Sequence, residues 1–200
     1  MKAVYISEKL GVLKYFVCAM EGANSKNKEN GDAEDYSFYG IKTIAEKAFI
    51  STNEVRRVFF DKTLTKIQKD AFKNCENLEV FCCRETESAT PEDVKFGEDS
   101  AKLKGLNTSN IQSGFVIETS AFIDCRKLQT IILPKCKVLR IEKNAFSGCD
   151  RLRSVICLAK KSEFSDNPFD DCSKDLVFVC SKDSEIEQFA RENGYRYVNV

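Results

Sequence analysis

The stretch Ile131-Ile-Leu-Pro-Lys-Cys-Lys-Val-Leu-Arg-Ile-Glu-Lys-Asn-Ala-Phe-Ser-Gly-Cys149, followed by Arg151-Leu152, decides the fold because its landmarks recur along the chain. Ala-Phe stands at Ala48-Phe49, Ala71-Phe72, Ala121-Phe122 and Ala145-Phe146, and Pro168-Phe169 occupies a fifth place. The intervals are 23, 50, 24 and 23 residues, so the 50 reads as one period plus an insertion. Counted from the Ala (or Pro) of each unit, position −4 holds Ile44, Ile67, Ile117, Ile141 and Phe164. Position +7 holds Val55, Leu78, Leu128 and Leu152. Position +10 holds Val58, Phe81, Ile131, Val155 and Phe178, and +12 holds Phe60, Cys83, Leu133, Cys157 and Cys180.

This spacing dictates a geometry. Side chains alternate along a strand, so +10 and +12 share one face, and +7 enters the same core from the preceding turn. One such coil cannot bury its apolar face alone, so neighbouring coils must stack and extend a parallel sheet. A period of 23–24 residues is too short for a strand, a long helix and two loops. The side around Ile-x-x-x-Ala-Phe is therefore expected to be a short strand or a 3₁₀ turn. The small Ala permits close approach, while Phe49, Phe72, Phe122 and Phe146 should pile in a row between coils.

The Ile131–Leu152 stretch resembles the repeat of BspA-like leucine-rich-repeat proteins, which reads leucine, strand, Ile-Pro, then valine, Ile-Gly, Ala-Phe and a Gly-Cys turn. The resemblance runs from about Ile41 to the C-terminus. Asn167-Pro-Phe169, Val177-Phe-Val179 and a short helical segment are similar to the family's last repeat and cap. Only one unit keeps the proline (Pro134), and Ala45, Gln68, Glu118 and Glu142 replace the glycine. The resemblance implies a right-handed leucine-rich-repeat stack, mainly β, ending in a helix–strand cap. It implies a recognition role, since the family includes cell-surface adhesins, and it brings no catalytic residues.

The expected organisation is an N-terminal cap and linker over 1–40, repeats one and two over 41–83, and an insertion loop or degenerate repeat over 84–113. Repeats three to five follow over 114–180, with a C-terminal cap over 181–200. Val4-Tyr5-Ile6 and Val12 to Met20 are apolar pieces of the first cap, and Gly22 to Asp35 reads as a loop or linker. In the last cap, Asp183 or Ser184 can cap a helix burying Ile186, Phe189 and Ala190, with Gly194 as its stop. Tyr195 to Val200 then reads as a closing strand that hides the last open edge. The insertion carries Glu92, Asp93, Glu98 and Asp99, and Asn107-Thr-Ser109 is a sequon that matters only on a secretory route.

Composition narrows the function. Basic and acidic residues balance at 31 each, so no global field steers the chain to nucleic acid or an anionic membrane. Histidine is absent, which removes Ser-His and Cys-His nucleophiles, HExxH sites and mixed Cys/His zinc sites. No CxxC pair occurs among the ten cysteines, and no cofactor is expected. Gly11 to Met20 is interrupted by Lys14 and lacks a clean cleavage site. No run approaches the ~20 apolar residues of a membrane span. A cytoplasmic location is favoured on these grounds, with cell surface or secretion as the alternative the resemblance implies.

The cysteines fall into columns: Cys75, Cys125, Cys149 and Cys172 at +4, and Cys83, Cys157 and Cys180 at +12. Such placement points to buried thiols serving as small hydrophobes. Cys82 differs, since +11 faces away from the core, and it is the candidate reactive thiol. The +11 column reads Phe59, Cys82, Ile132, Ile156 and Val179, an apolar stripe on a face that is normally polar. Arg56, Glu79, Gln129 and Arg153 at +8 would flank it. An apolar patch rimmed by polar groups is the mark of a protein-binding surface. The expectation is a monomeric, non-catalytic interaction or adhesion module binding an unidentified protein or peptide there. If the stripe is open, aspartate at Ile132 and Ile156 leaves stability intact. Alternatives are cover by residues 1–40, β-propensity alone with no role for the stripe, a redox or enzymatic protein using Cys82 or the Glu92–Asp93 pair, and a structural fragment of a longer array.

Overall fold

The protein, seen in a computed structural model, is described at residues 5–7, 12–15, 34–38, 40–83 and 111–200. In chain order the strands are β1 (Tyr5–Ser7), β2 (Val12–Tyr15), β3 (Glu34–Phe38), β4 (Thr43–Ile44), β5 (Val55–Phe60), β6 (Lys66–Ile67) and β7 (Val80–Cys83). Then come β8 (Gln112–Ile117), β9 (Thr130–Ile132), β10 (Cys136–Ile141), β11 (Ser154–Ile156), β12 (Lys161–Phe164) and β13 (Val177–Cys180). Helix α1 (Glu185–Glu192) and β14 (Arg196–Asn199) close the series. The chain alternates between two sheets, ordered β1-β2-β4-β6-β8-β10-β12 and β14-β13-β11-β9-β7-β5-β3. Every pairing is parallel except β1 with β2. The side around Ala-Phe is thus made of short strands.

Register is kept column by column. Val58, Phe81, Ile131, Val155 and Phe178 lie side by side in the second sheet, and Ile44, Ile67, Ile117, Ile141 and Phe164 in the first. Between the sheets, the rings of Phe49, Phe72, Phe122, Phe146 and Phe169 form a stack with centroids 4.6–5.1 Å apart and planes within 13° of parallel. All five are at most 1% exposed, as the spacing predicts.

Each Ala-Phe turn needs two left-handed residues. One precedes the Ala: Lys47, Asp70, Ser120 and Asn144 have φ between 54° and 59°. The other stands at +3, in Ser51, Asn74, Asp124, Gly148 and Asp171. Small polar side chains tolerate this region, which explains their recurrence there. At Gly148 (φ 73°) a Cβ would meet Asp124 Oδ1 at 2.6 Å, so glycine also relieves a close approach. The turns aim backbone N–H groups along the stack, where Phe49, Phe72 and Phe122 each donate to Ala71, Ala121 and Ala145 carbonyls at 2.7 Å. This third ladder satisfies backbone that strands leave unpaired.

Two expectations change. Glu34 and Asp35, read as linker, begin β3, which pairs with β5 and places Tyr36 beside Val58 and Phe38 beside Phe60. The second sheet therefore has six layers before β14, one more than Ala-Phe counting gives. The bound of the segment expected over 84–113 also moves, since β8 starts at Gln112, and the flanking coils pair directly, β6 with β8 and β7 with β9. Residues 84–110 themselves lie outside the described residues.

At the other end, Ser184 caps α1 by accepting from Glu187 N, and Glu187 reaches back to accept from Asp183 N at 2.7 Å. Phe189 of α1 stacks on Phe164 at 4.1 Å and seals the core. Gly194 (φ 72°) ends the helix, and β14 adds to β13. β14 closes the edge of the last repeat by pairing along the whole of β13, and its own four residues are exposed.

Candidate interaction surface

Outward-facing side chains of the second sheet come from positions +9 and +11, because +10 and +12 point inward. Parallel register places Ser37, Phe59, Cys82, Ile132, Ile156, Val179 and Val198 in one +11 row. Phe59, Cys82, Ile132, Ile156 and Val179 pack into a cluster of their own, separate from the core, with Val80 against it. The continuous stripe read from the sequence exists.

Its openness does not. Those five side chains are only 1–8% exposed, and Thr130 and Ser154 beside them are buried at 7% and 4%. Strand alternation tells which face a residue takes but not what lies over that face. The stripe is buried within the chain itself, so Phe59, Cys82, Ile132, Ile156 and Val179 do not form an open docking strip. The alternative that residues 1–40 cover it falls mostly outside the described residues. Only Ser37 and Val198, at the two ends of the row, are exposed.

The +8 row behaves differently. Glu79 N donates to Arg56 O, Gln129 N to Glu79 O, and Arg153 N to Gln129 O, at 2.7–2.9 Å, so one such residue stands on each layer. Arg56 and Glu79 are half-buried, and Arg56 lies 3.4 Å from Asp35. Gln129 and Arg153 are exposed. The adjoining turn supplies a group that sequence reasoning missed: Arg126 and Lys127, then Arg151, then Lys174, all exposed. The same positions hold Asn53, Glu54, Glu76 and Asn77 in the earlier coils, and that switch of charge along a column was the available signal.

On the side of the other sheet three cations are paired, Lys66 on Glu118 (2.5 Å), Arg140 on Glu163 (2.6 Å) and Lys143 on Asp166 (3.4 Å), whereas Lys137 and Lys161 are exposed and form no ion pair among the described residues. Among the described residues, Arg126, Arg151, Arg153 and Lys174 form no ion pair. Lys127 donates to Asn77 Oδ1 at 2.8 Å. Layers repeat at ~4.8 Å, so these cations form a ridge with one or two charges per coil.

The thiols are structural. Cys75, Cys125, Cys149 and Cys172 donate from Sγ to the carbonyls of Phe49, Phe72, Phe122 and Phe146, each one coil back, at 2.9–3.2 Å. Burial pushes Cys125 and Cys172 well above the usual thiol range, and Cys136 up to about 11. Cys82, expected outward and accessible, is 6% exposed, and its Sγ lies 3.5 Å from Cys83 O. No disulfide joins the nine described cysteines, and no cluster among the described residues could hold a metal ion.

A family model described as the BspA type leucine rich repeat region matches residues 35–101 and 98–194, in six copies. No curated protein matches the sequence. Among solved structures, one titled as the crystal structure of the pneumococcal vaccine antigen PcpA superposes with a TM-score of 0.54 at 16% identity. The alignment covers 98% of this chain and 46% of that one, so this chain spans under half its length. At that identity the likeness speaks to the fold.

Proposed function

This chain belongs to the BspA-type leucine-rich-repeat family, and on that premise we propose that it is a non-catalytic interaction or adhesion module whose docking surface is the cationic ridge of its later coils. The partner is a protein or peptide with an exposed acidic segment. The observation that carries this reading is the row Lys127, Arg151 and Lys174, flanked by Arg126, Arg153 and Gln129, exposed and forming no ion pair among the described residues. Stacked like charges repel, and an acidic segment laid along the ridge relieves that repulsion while its own charge supplies steering. Arg56 and Glu79 mark the other end of the +8 row, where the charge alternates. A cell-surface or secreted location suits the family better than the cytoplasmic one expected from the sequence. Burial of Cys82 argues against the thiol-based alternative.

The test is fluorescence anisotropy with a labelled glutamate-rich peptide, read at low and physiological salt. Wild-type protein binds, weakening as salt shortens the screening length. Reversing the ridge with Lys127→Glu, Arg151→Glu and Lys174→Glu raises Kd at least about tenfold, or ~1.4 kcal/mol. Equal binding by the reversed variant, or binding indifferent to salt, removes the proposal.

A further inference from the structure

The exposed large apolar residues among those described are Ile50, Ile111, Tyr197, Val198 and Val200, so three of the five cluster on one terminal strand and its end. Among the described residues that strand, β14, is the outermost of its sheet, with β13 on one side and no strand hydrogen-bonded on the other. Val200 N donates to Cys180 O at 3.1 Å, which fixes the phase of the ladder. In a parallel pair, alternate residues turn their backbone groups to the same neighbour. Val198 and Val200 therefore address β13, while the N–H and C=O groups of Tyr197 and Asn199 point to the free edge.

We infer that this edge docks a second copy of the chain, β14 pairing antiparallel with its own counterpart about a twofold axis through Val198. The phase just derived makes the strand self-complementary. Tyr197 and Asn199 lie symmetrically about Val198, so each Tyr197 faces Asn199 of the other copy as a hydrogen-bonded pair, giving four backbone bonds. Val198 faces its own equivalent in the close, non-bonded position of an antiparallel ladder, where Cα atoms approach to ~4.5 Å. Because Val198 continues the Phe59–Val179 row, this contact joins the apolar stripes of the two copies and buries the end that is 42% exposed. Arg196 faces Val200, so no like charges meet. Proline and β-bulges, which block such pairing, are absent from Arg196–Asn199, and its one charged residue, Arg196, lies off the axis. The same patch on both copies makes the contact isologous, which closes at two. The inference is independent of the cationic ridge, and it replaces the expected monomer.

The experiment is sedimentation equilibrium of the full chain over a wide concentration range, with Val198→Lys and Val198→Cys beside wild type. Wild type should follow a monomer–dimer equilibrium, and Val198→Lys, which sets two ammonium groups against each other at the axis, should weaken it at least tenfold at unchanged Tm. Val198→Cys should form a covalent dimer under mild oxidation, since the other described thiols are mostly buried. A wild type that stays monomeric throughout, a Val198→Lys variant that dimerises as wild type does, or growth into longer polymers would each overturn the inference.

Discussion

The ring of Phe72 lies 4.9 Å from that of Phe122 and within 4° of parallel, although 50 residues of sequence separate them. The neighbouring pairs Phe49–Phe72 and Phe122–Phe146 are separated by 23 and 24 residues and stack at 4.6 and 5.1 Å. The stack thus takes no account of the extra chain between β7 and β8. Sheet pairing agrees, with Val80, Phe81 and Cys82 opposite Thr130, Ile131 and Ile132.

Excising that extra chain should leave the fold intact. Other coils cross from the second sheet to the first in a few residues, as between Ile132 and Cys136 or Ile156 and Lys161. Replacing residues 84–110 by a short Gly/Ser linker is expected to keep the circular dichroism spectrum and to change stability by only about 1 kcal/mol, because loop-closure entropy grows slowly with length. An unfolded product would mean that the inserted segment is part of the core.

The stack itself should be costly to interrupt. Phe122 is fully buried, with flat contacts to Phe72 and Phe146 and an edge contact to Phe81 at 5.0 Å. Phe122→Ala is expected to lose about 3–5 kcal/mol in urea denaturation. A substitution at exposed Ile50, two residues past Ala48, should cost under about 0.5 kcal/mol in the same assay.

The +11 row gives a sharper test. Ile156 is 1% exposed on the outer face of its sheet. An aspartate there is buried without a partner, so Ile156→Asp should destabilise by at least about 3 kcal/mol or prevent folding. An open stripe would tolerate the change. Near-native urea stability of the variant would therefore restore the exposed reading.

What was legible in the sequence follows from periodicity. Ile44, Ile67, Ile117 and Ile141 share a column because a coil repeats its geometry, and Ser184 and Gly194 carry local capping signals that need no tertiary knowledge. β3 escaped because Tyr36 and Phe38 belong to a layer with no Ala-Phe landmark. Burial of Ile132 and Ile156 escaped for a different reason: a strand's period assigns a face, whereas cover of that face is a tertiary matter. The ridge of Arg126, Lys127, Arg151 and Lys174 was present in the columns, but it shows only when charge is followed from coil to coil.

Stability should fall in alkaline solution through the buried thiols. Cys136 is 2% exposed, and burial raises its pKa from 9.0 in the unfolded chain to about 11. Below pH 9 both states hold the proton and the group has no pH effect. Between about 9 and 11 the unfolded chain releases it while the folded protein keeps it, so each step upward in pH favours unfolding. The loss from this one thiol is on the order of 1–3 kcal/mol at 1.36 kcal/mol per unit. Cys125 and Cys172 are shifted the same way and add to the slope. Urea denaturation of wild type and Cys136→Ala at pH 7.5, 9 and 10.5, values chosen to bracket that window, separates this thiol from lysine and tyrosine titration. The variant is expected to be less stable than wild type at pH 7.5 and to close the gap by pH 10.5. A gap that stays constant would mean that the Cys136 thiol ionises as freely in the folded protein as in the unfolded chain.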